Sequence, residues 1–296
     1  YTPMPPYQGG YQTQPPYWQP PPPPEPEKRD DVTAEGIPLS SRGGFVIDTA
    51  SYAAGDTGVG AVSLFLQGSI PIQGKTFIDG RVPVAFVSQP ILMGNVSIGA
   101  HHVFRLGSGA WFTLGGNLGF PTSRGDVIFN DAAPTVALTP RALWDMGDYW
   151  PDSVPIKLST AIEGHVGIVT LRGFLDVLVM PGFGDNDEHE LAIPHAFEVQ
   201  FGHRIGGGLR IQGVAIPTAE NYGIVDDLDD DLYQFAFEPF FSYEADLVFV
   251  SEVSSLPAYP CLVFVRSGLV IPVDGHLGPP FATGWGFKLA TGVRVD

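Results

Sequence analysis

The end of the chain, from Thr283 to Asp296, reads T-G-W-G-F-K-L-A-T-G-V-R-V-D. Successive side chains of an extended strand point to opposite faces, so this stretch has two chemically different faces. The apolar face would carry Trp285, Phe287, Leu289, Val293 and Val295. The opposite face would carry small and charged residues: Gly284, Gly286, Lys288, Ala290, Gly292 and Arg294.

The same alternation recurs along the chain from Arg42 onwards and predicts twelve strands. So many two-faced strands fit a closed, antiparallel, up-and-down transmembrane β-barrel with lipid outside and polar side chains or water inside. A further short strand within 246–260 would favour fourteen, because single-chain bacterial barrels have even strand numbers. The predicted strands are 42–54, 59–71, 75–88, 91–106, 108–121, 154–166, 168–181, 190–204, 206–217, 232–246, 260–273 and 282–295.

The composition agrees with a membrane barrel. Charged residues make up only 16% of the 296-residue chain and hydrophobic residues 44%, whereas soluble domains average about 25% charged residues. No apolar run approaches the roughly 18 residues that a membrane helix needs. The net charge of −17 argues against a nucleic-acid partner, because phosphates attract a basic surface.

The closing segment G-W-G-F-K-L-A-T-G-V-R-V, together with Q-F-A-F-E-P-F-F-S-Y-E at 234–244, resembles Gram-negative outer-membrane β-barrel proteins. The Pro-rich leader is similar to that of some members of this group. The resemblance covers 42–296 and implies a porin-like protein in contact with outer-membrane lipid and lipopolysaccharide, without indicating a substrate. Many such proteins end on an aromatic residue, whereas this chain ends V-R-V-D; either that signal is relaxed or Phe287 replaces it.

Residues 1–41 are predicted to form a separate extended arm before the barrel at 42–296. The run from Pro20 to Pro24 and the charged cluster that follows favour polyproline II rather than a packed core. Because Tyr1 is not an initiator Met, we expect a processed chain with this arm in the periplasm. The arm is either a spacer or a docking segment for a partner protein or for the barrel's own lumen, with Tyr7, Tyr11, Tyr17 and Trp18 as its aromatic anchors.

A periplasmic N-terminus would place the longer connections outside the cell, as in known outer-membrane barrels. The longest one, at 122–153, contains P-R-A-L-W-D-M-G-D-Y-W-P. With Thr139 as N-cap and Pro140 at the first helical position, it predicts a short helix from Pro140 to Met146. This helix would either fold into the lumen as a constriction or cover the mouth as a surface lid.

Charges of both signs collect at positions predicted to face inward. A charge facing lipid at mid-depth would cost about 2–4 kcal/mol, so a barrel requires this placement. The charges would either line a pore of weak ion preference or form a structural ion-pair network that fills a narrow interior. The candidate lumen or constriction residues are Asp79, Arg81, His101, Arg105, Lys157, Glu163, His165, Arg172, Asp176, Glu198, Arg210, Glu238, Lys288 and Arg294.

Two acidic runs fall in predicted outward loops, at 185–190 and 226–231. Carboxylate oxygens suit Ca²⁺ or Mg²⁺, although neither run has the complete calcium-loop pattern. The alternative is a solvated loop tip. The candidate metal ligands are Asp226, Asp227, Asp229, Asp230 and Asp231.

No catalytic residues are predicted, and the chain is interpreted as a non-enzyme. It has no G-x-S-x-G motif, and Ser97 and His101 would lie about 13 Å apart along one strand. A pairing of His165 with Asp176 is conceivable but is equally explained as a lumenal contact.

The favoured function is a porin-like channel for small solutes. The rival is a non-conducting barrel that anchors a partner through the arm or the outward loops. A soluble β-sandwich is disfavoured by aromatic faces that would point outward, as at Phe235, Phe237, Phe241 and Tyr243.

Overall fold

A computed structural model describes residues 44–53, 60–73, 75–87, 91–123, 137, 139–182, 189–202, 204–218, 232–249, 259–273 and 285–295. The described part is dominated by thirteen strands. No helix in this part is long and apolar enough to cross a membrane. The strands are β1 Gly44–Ala53, β2 Gly60–Gln73, β3 Thr76–Val87, β4 Ile91–Met93, β5 Ser97–Arg105, β6 Ala110–Gly119, β7 Ile156–Val166, β8 Val169–Pro181, β9 His189–Phe201, β10 Ile205–Ile216, β11 Leu232–Phe249, β12 Tyr259–Pro272 and β13 Trp285–Val295.

Strand pairing closes the sheet into a ring. The last strand, β13, pairs antiparallel with β12 and also with β1, where Lys288 lies opposite Ala50. Every other strand of the ring pairs with its sequence neighbour, except that β5 pairs directly with β3 across the short β4. Twelve strands form the closed barrel and β4 is an additional strand on β3. The predicted twelve-stranded antiparallel barrel is therefore confirmed.

The two faces of the ring have the predicted chemistry. On β13, Phe287 is 44% exposed, whereas the neighbouring Lys288 is 3% exposed. On β8, Leu175 is 49% exposed and Asp176 only 4%. Because alternate residues of a strand lie on opposite faces, an apolar exterior and a polar interior follow directly from the period-two pattern.

The prediction of one continuous strand at 91–106 is wrong. The structure has two strands here, because the first ends at Met93 and the second begins at Ser97. A Cβ on Gly94 would lie 2.3 Å from the Asp148 carbonyl oxygen. The Asn95 amide donates to that same oxygen at 2.5 Å. The chain leaves the sheet here because its backbone binds a distant loop, which a local sequence pattern does not reveal.

The predicted helix from Pro140 to Met146 is also wrong. The structure has a 3₁₀ turn, Thr139–Arg141, and one α-helical turn, Met146–Tyr149. Between them Ala142 and Leu143 have φ values of 50° and 63°. These left-handed conformations cannot continue a right-handed helix, so the segment turns between its two short helices.

The stretch 246–260 adds no further strand within its described residues. Instead, β11 extends to Phe249 and β12 begins at Tyr259.

Connections of different length separate the two ends of the barrel. At one end, which we call the short-turn end, two to four residues connect β2 to β3, β5 to β6, β7 to β8 and β9 to β10, and only the connection between Phe249 and Tyr259 is longer. The opposite, long-loop end has the connections 120–155, 217–231 and 273–284. Gly44 pairs with Arg294 at the short-turn end, so the beginning and the end of the ring lie there together.

Candidate functional site in the barrel lumen

Residues 139–150, which we call the inserted segment, fold into the lumen from the long-loop end. Tyr149 is fully buried against Phe65 of β2, with ring centroids 5.9 Å apart. Ala142 packs against Ala236 and Val270 on the opposite wall. Of the two expected arrangements, the structure therefore has the constriction and not the surface lid. The buried apolar residues of the segment are Ala142, Leu143, Trp144, Met146 and Tyr149.

Hydrogen bonds attach the inserted segment to several walls. The Gln212 side-chain amide of β10 donates to the Arg141 carbonyl at 3.0 Å. The Asn95 side-chain amide donates to the carbonyls of Gly147 and Trp150 at 3.0 and 2.7 Å. On β13, a Cβ at Gly286 would lie 2.5 Å from the Pro140 carbonyl oxygen. The segment can therefore approach the wall this closely only because residue 286 has no side chain.

Buried ion pairs add to this attachment. Arg81 of β3 reaches Asp145 at 2.7 Å and Asp148 at 3.0 Å. Arg141 of the inserted segment lies 3.2 Å from Asp48 of β1 and 3.0 Å from Asp145. The segment is thus held electrostatically to β1 and β3.

Cation–π contacts hold the same segment from other directions. The Arg210 guanidinium of β10 lies 4.1 Å from the centroid of the Trp144 ring. Arg141 of the segment lies 5.1 Å from the centroid of Phe65. Arg81 of the wall lies 4.3 Å from the same ring and so joins β3 to β2. Because such contacts strengthen when they are desolvated, the buried position of these rings favours the inserted arrangement.

Two carboxylates of the inserted segment have opposite pKa shifts. Burial raises the pKa of Asp148 to about 6. Arg81 and Lys157 act in the opposite direction and lower this pKa, whereas the neighbouring Asp145 carboxylate raises it further. Burial also acts on Asp145, but there Arg141 and Arg81 more than offset it and hold the pKa below its usual value. Asp145 is therefore the fixed anion of the segment, and Asp148 is the one that titrates near neutral pH.

A chain of ion pairs fills the lumen toward β7–β13. Arg172 lies 2.6 Å from Glu163 and 2.5 Å from Glu198. Arg266 continues the chain at 2.7 Å from Glu198 and 3.6 Å from Glu238. Lys288 and Arg210 lie 3.5 and 3.9 Å from Glu238. Charges of opposite sign therefore alternate around the inside of this wall.

The two lumenal histidines each contact an acid. His101 Nδ1 lies 2.6 Å from Asp79, and its ring stacks on Phe77. His165 lies 2.6 Å from Glu163. The conceivable pairing of His165 with Asp176 is wrong, because the β7–β8 register places Thr170 opposite His165. Asp176 instead lies 3.6 Å from Lys157.

Hydrogen bonds connect the hydroxyl of Thr170, the imidazole of His165 and the carboxylate of Glu163 in series. Thr170 Oγ1 is 2.8 Å from His165 Nδ1, and His165 Nε2 is 2.6 Å from Glu163. Thr170 has 0% exposure, however, so no substrate can reach its oxygen. Glu163 also accepts from Arg172 at 2.6 Å. This arrangement is a lumenal hydrogen-bond network and not an accessible nucleophile.

Most of the predicted lumen residues face inward, as the two-residue alternation of their strands predicted. Arg105 is exposed at the short-turn end, where its Nε donates to the Gly107 carbonyl. The side chain of Arg294 lies outside the described part. The functional role of the set stays a prediction. The inward residues that are buried or half-buried are Asp79, Arg81, His101, Lys157, Glu163, His165, Arg172, Asp176, Glu198, Arg210, Glu238 and Lys288.

Among the described residues, sequence reasoning missed six charged residues of the lumen. One is Glu190, which was predicted in the outward acidic run 185–190 but lies on β9 with 2% exposure, where its carboxylate accepts from Thr218 at 2.6 Å. Asp48 and Arg266 could have been found, since each occupies an inward position in the two-residue alternation of its strand, next to an apolar outward residue, Ile47 or Val265. Arg141, Asp145 and Asp148 gave no periodic signal because they lie in a loop.

Several predicted sites fall outside the described residues. These are the acidic candidates Asp226, Asp227, Asp229, Asp230 and Asp231, and the aromatic anchors Tyr7, Tyr11, Tyr17 and Trp18. Within the part that the structure describes, no group of three or more His, Cys, Asp or Glu side chains is arranged to hold a metal ion.

A cavity of about 50 Å³ remains beside the inserted segment. Trp144, Asp145 and Asp148 line it from the segment, and Asn117 and Lys157 line it from the barrel wall. The inserted segment therefore narrows the lumen but leaves open space on the side of β5–β7.

Comparison with solved structures finds outer-membrane barrels. The NanC porin has 6% identity and a TM-score of 0.45, covering 85% of this chain and 99% of that one. An outer membrane channel from Pseudomonas putida F1 has 11% identity and a TM-score of 0.49, covering 90% and 100%. The translocator domain of the autotransporter NalP from Neisseria meningitidis has 8% identity and a TM-score of 0.35, covering 86% and 88%.

No protein-family model and no curated sequence matches the chain. At these TM-scores the similarity to the solved structures carries no weight for function. The expected outer-membrane type of barrel is confirmed in its architecture by the strand pairing itself.

Proposed function

We propose that this chain is an outer-membrane channel for small solutes whose lumen is narrowed by the inserted segment. The observation that carries the proposal is a closed ring of strands with an apolar outside, a charged inside and a cavity beside the segment. A closed ring satisfies its backbone hydrogen bonds internally, which is the requirement for spanning a bilayer with strands.

The exterior supports a lipid environment. Large apolar side chains on it are exposed all around the ring, far beyond the patches that soluble monomers carry. Aromatic residues occur toward both ends: Phe86, Phe120 and Trp285 toward the long-loop end, and Phe104, Phe201 and Tyr243 toward the short-turn end. Girdles of this kind mark the two membrane interfaces of outer-membrane barrels.

The difference between the two ends supports one orientation. In outer-membrane barrels the short turns face the periplasm and the long loops face outward. The long-loop end would then meet lipopolysaccharide, and Ca²⁺ or Mg²⁺ at the acidic run 226–231 would bridge it to lipid phosphates. The arm at 1–41 would begin in the periplasm, where it could bind a protein partner.

The pairing of charges supports a channel of weak ion preference. Arg81, Lys157 and Arg172 each lie within 4 Å of a carboxylate, so no single sign dominates the lumen. Channels select ions through rings of one sign. The proposed solutes are therefore small and polar, and are not chosen by charge alone.

Single-channel recording in planar bilayers tests the proposal. We expect discrete, small conductance steps from the full chain, and larger steps when residues 139–150 are replaced by a short Gly-Ser linker. Heat-modifiable migration in gels provides the folding control for both proteins. If both proteins are folded and electrically silent, the barrel does not conduct, and the anchoring alternative replaces the channel.

A further inference from the structure

The inward-facing side chains differ in exposure from one wall of the barrel to the other. On β9, β12 and β13 the inward positions are buried from 190 to 200, from 262 to 270 and from 286 to 292. On β5–β7, by contrast, several inward side chains are only half-buried. These are Ser97, Asn117, Lys157, Ser159 and Ala161. The open space of the lumen therefore lies to one side of the barrel axis.

Side-chain size accounts for this asymmetry. The long side chains of Glu198, Arg266 and Glu238 fill the lumen from their own wall and are at most 7% exposed. In the half-buried part of the wall of β5–β7, Ser97, Ser159 and Ala161 are small and Gly99 has no side chain. The larger inward side chains Trp111, Glu163 and His165 lie nearer the short-turn end. A Cβ at Gly99 would lie 1.8 Å from Asn117 Oδ1, so the Asn117 amide folds into the wall and not across the lumen.

The wall of β5–β7, like other walls of the barrel, has inward polar atoms without a hydrogen-bond partner in the described part of the protein. Among the described residues, His101 Nε2, Thr113 Oγ1 and Ser159 Oγ are buried without a hydrogen-bond partner. They belong to three neighbouring strands, and His101 and Thr113 are each 9% exposed. Buried polar groups are normally satisfied by protein or by water. These three atoms add hydrogen-bonding capacity to the wall of β5–β7.

The charges beside this wall are largely neutralised. Lys157 lies 3.6 Å from Asp176, and Arg81 lies 2.7 Å from Asp145. A solute that passes them meets hydrogen-bonding groups of both kinds without a net field of one sign. The lining chemistry therefore fits neutral, hydroxyl-rich or amide-rich molecules better than ions.

We propose that solutes cross this barrel off its axis, along the wall of β5, β6 and β7, and that these solutes are small, uncharged molecules rich in hydrogen-bonding groups. The inference rests on the proposed channel function and adds to it a path and a solute class.

An apolar cluster narrows this path at the short-turn end. Phe77, Val103 and Trp111 pack together there with at most 5% exposure. Trp111 also stands edge-on to His165, with ring centroids 5.0 Å apart. Hydrophobic constrictions gate pores by excluding water. The path therefore runs between two narrowings, the inserted segment and this cluster.

Cysteine accessibility tests the path. In a full-length Cys261→Ala background, Ser97→Cys and Asn117→Cys place thiols at two half-buried positions of the proposed wall that line the cavity. Ala290→Cys is the matched control, because Ala290 faces inward on β13 and is 2% exposed. We expect a water-soluble, positively charged methanethiosulfonate reagent to label the two path cysteines and to remove most of their single-channel conductance. The control should stay unlabelled and conduct normally.

Liposome swelling tests the solute class. We expect a four-carbon polyol to enter proteoliposomes several-fold faster than a carboxylate or an ammonium compound of equal size. Faster entry of either charged compound would overturn the solute class.

Labelling is read by mass spectrometry and so does not depend on conduction. Labelling at Ala290→Cys with Asn117→Cys untouched, in a conducting barrel, would overturn the off-axis path alone. Absence of both current and solute entry in the unlabelled, folded protein would overturn the channel function and this path with it.

Discussion

The Arg81 guanidinium of β3 lies 2.7 Å from the Asp145 carboxylate of the inserted segment, and both side chains are at most 10% exposed. This contact joins a barrel strand to a loop that enters from the long-loop end. Because Arg81 also reaches Asp148 at 3.0 Å, a single wall residue holds both carboxylates of the segment.

Replacing Arg81 should release the inserted segment. Arg81→Met leaves Asp145 and Asp148 without their wall cation, and removing one partner of a buried pair costs about 3–5 kcal/mol. We expect a lower temperature of heat-modifiable unfolding and a larger single-channel conductance. Arg105→Met, at an exposed position, is the matched control and should change neither measurement. Equal changes in both variants would contradict the role of the ion pair.

Conductance should depend on pH through Asp148. Its pKa is raised from 3.8 to about 6 when the segment is inserted, so protonation favours the inserted state. The groups that face it are Arg81 of β3, Lys157 of β7, and Arg141 and Asp145 of the segment.

The inserted state should therefore strengthen as pH falls from above 6 toward 4, by up to about a hundredfold in its equilibrium constant. We expect fewer open events at pH 5 than at pH 7.5 in planar bilayers. Asp148→Asn should flatten this profile, since it removes the titrating group. A profile that is unchanged in Asp148→Asn would assign the pH dependence to another residue.

Adding one methyl group at Gly94 should disturb the inserted segment. The new Cβ would meet the Asp148 carbonyl oxygen at 2.3 Å and the Pro83 ring at 2.8 Å, so the backbone must shift. We expect Gly94→Ala to lower the unfolding temperature and to raise conductance. At Gly68 nothing lies within 4 Å of an added Cβ, so Gly68→Ala should behave like the unchanged protein. An unchanged Gly94→Ala would argue against close contact between this break in the strand and the segment.

Membrane insertion should distinguish two adjacent residues of β8. Leu175 is 49% exposed and Asp176 is 4% exposed, so only Leu175→Arg places a charge in lipid. That change costs about 2–4 kcal/mol at the membrane midplane. We expect the heat-modifiable fraction after insertion to fall far more for Leu175→Arg than for Asp176→Arg. Similar losses in the two variants would mean that the faces of β8 are wrongly assigned.

Removal of the arm should leave the barrel intact. The first strand begins at Gly44, and its pairing with β13 closes the ring. We expect a chain without residues 1–40 to show the same heat-modifiable migration as the full chain. Loss of folding would show that the arm contributes to the barrel.

The strands could be predicted from local sequence because the alternation of apolar and polar residues is visible within each strand. Alternation at Phe287, Lys288 and Leu289 indicates two faces without reference to any neighbour. Closure then requires only that the last strand reach the first, which the pairing of Lys288 with Ala50 confirms. The break at Gly94 escaped prediction because its cause, the Asp148 carbonyl, lies far along the chain.

The sequence by itself determined the barrel and the inward position of its charges, since a period of two residues and the cost of a charge in lipid are both local properties. Only the tertiary structure decided which charges meet and where the lumen is narrow. Arg81 approaches Asp145 because a loop without periodicity folds back between the walls. That position depends on packing among strands far apart in sequence, and no local pattern encodes it.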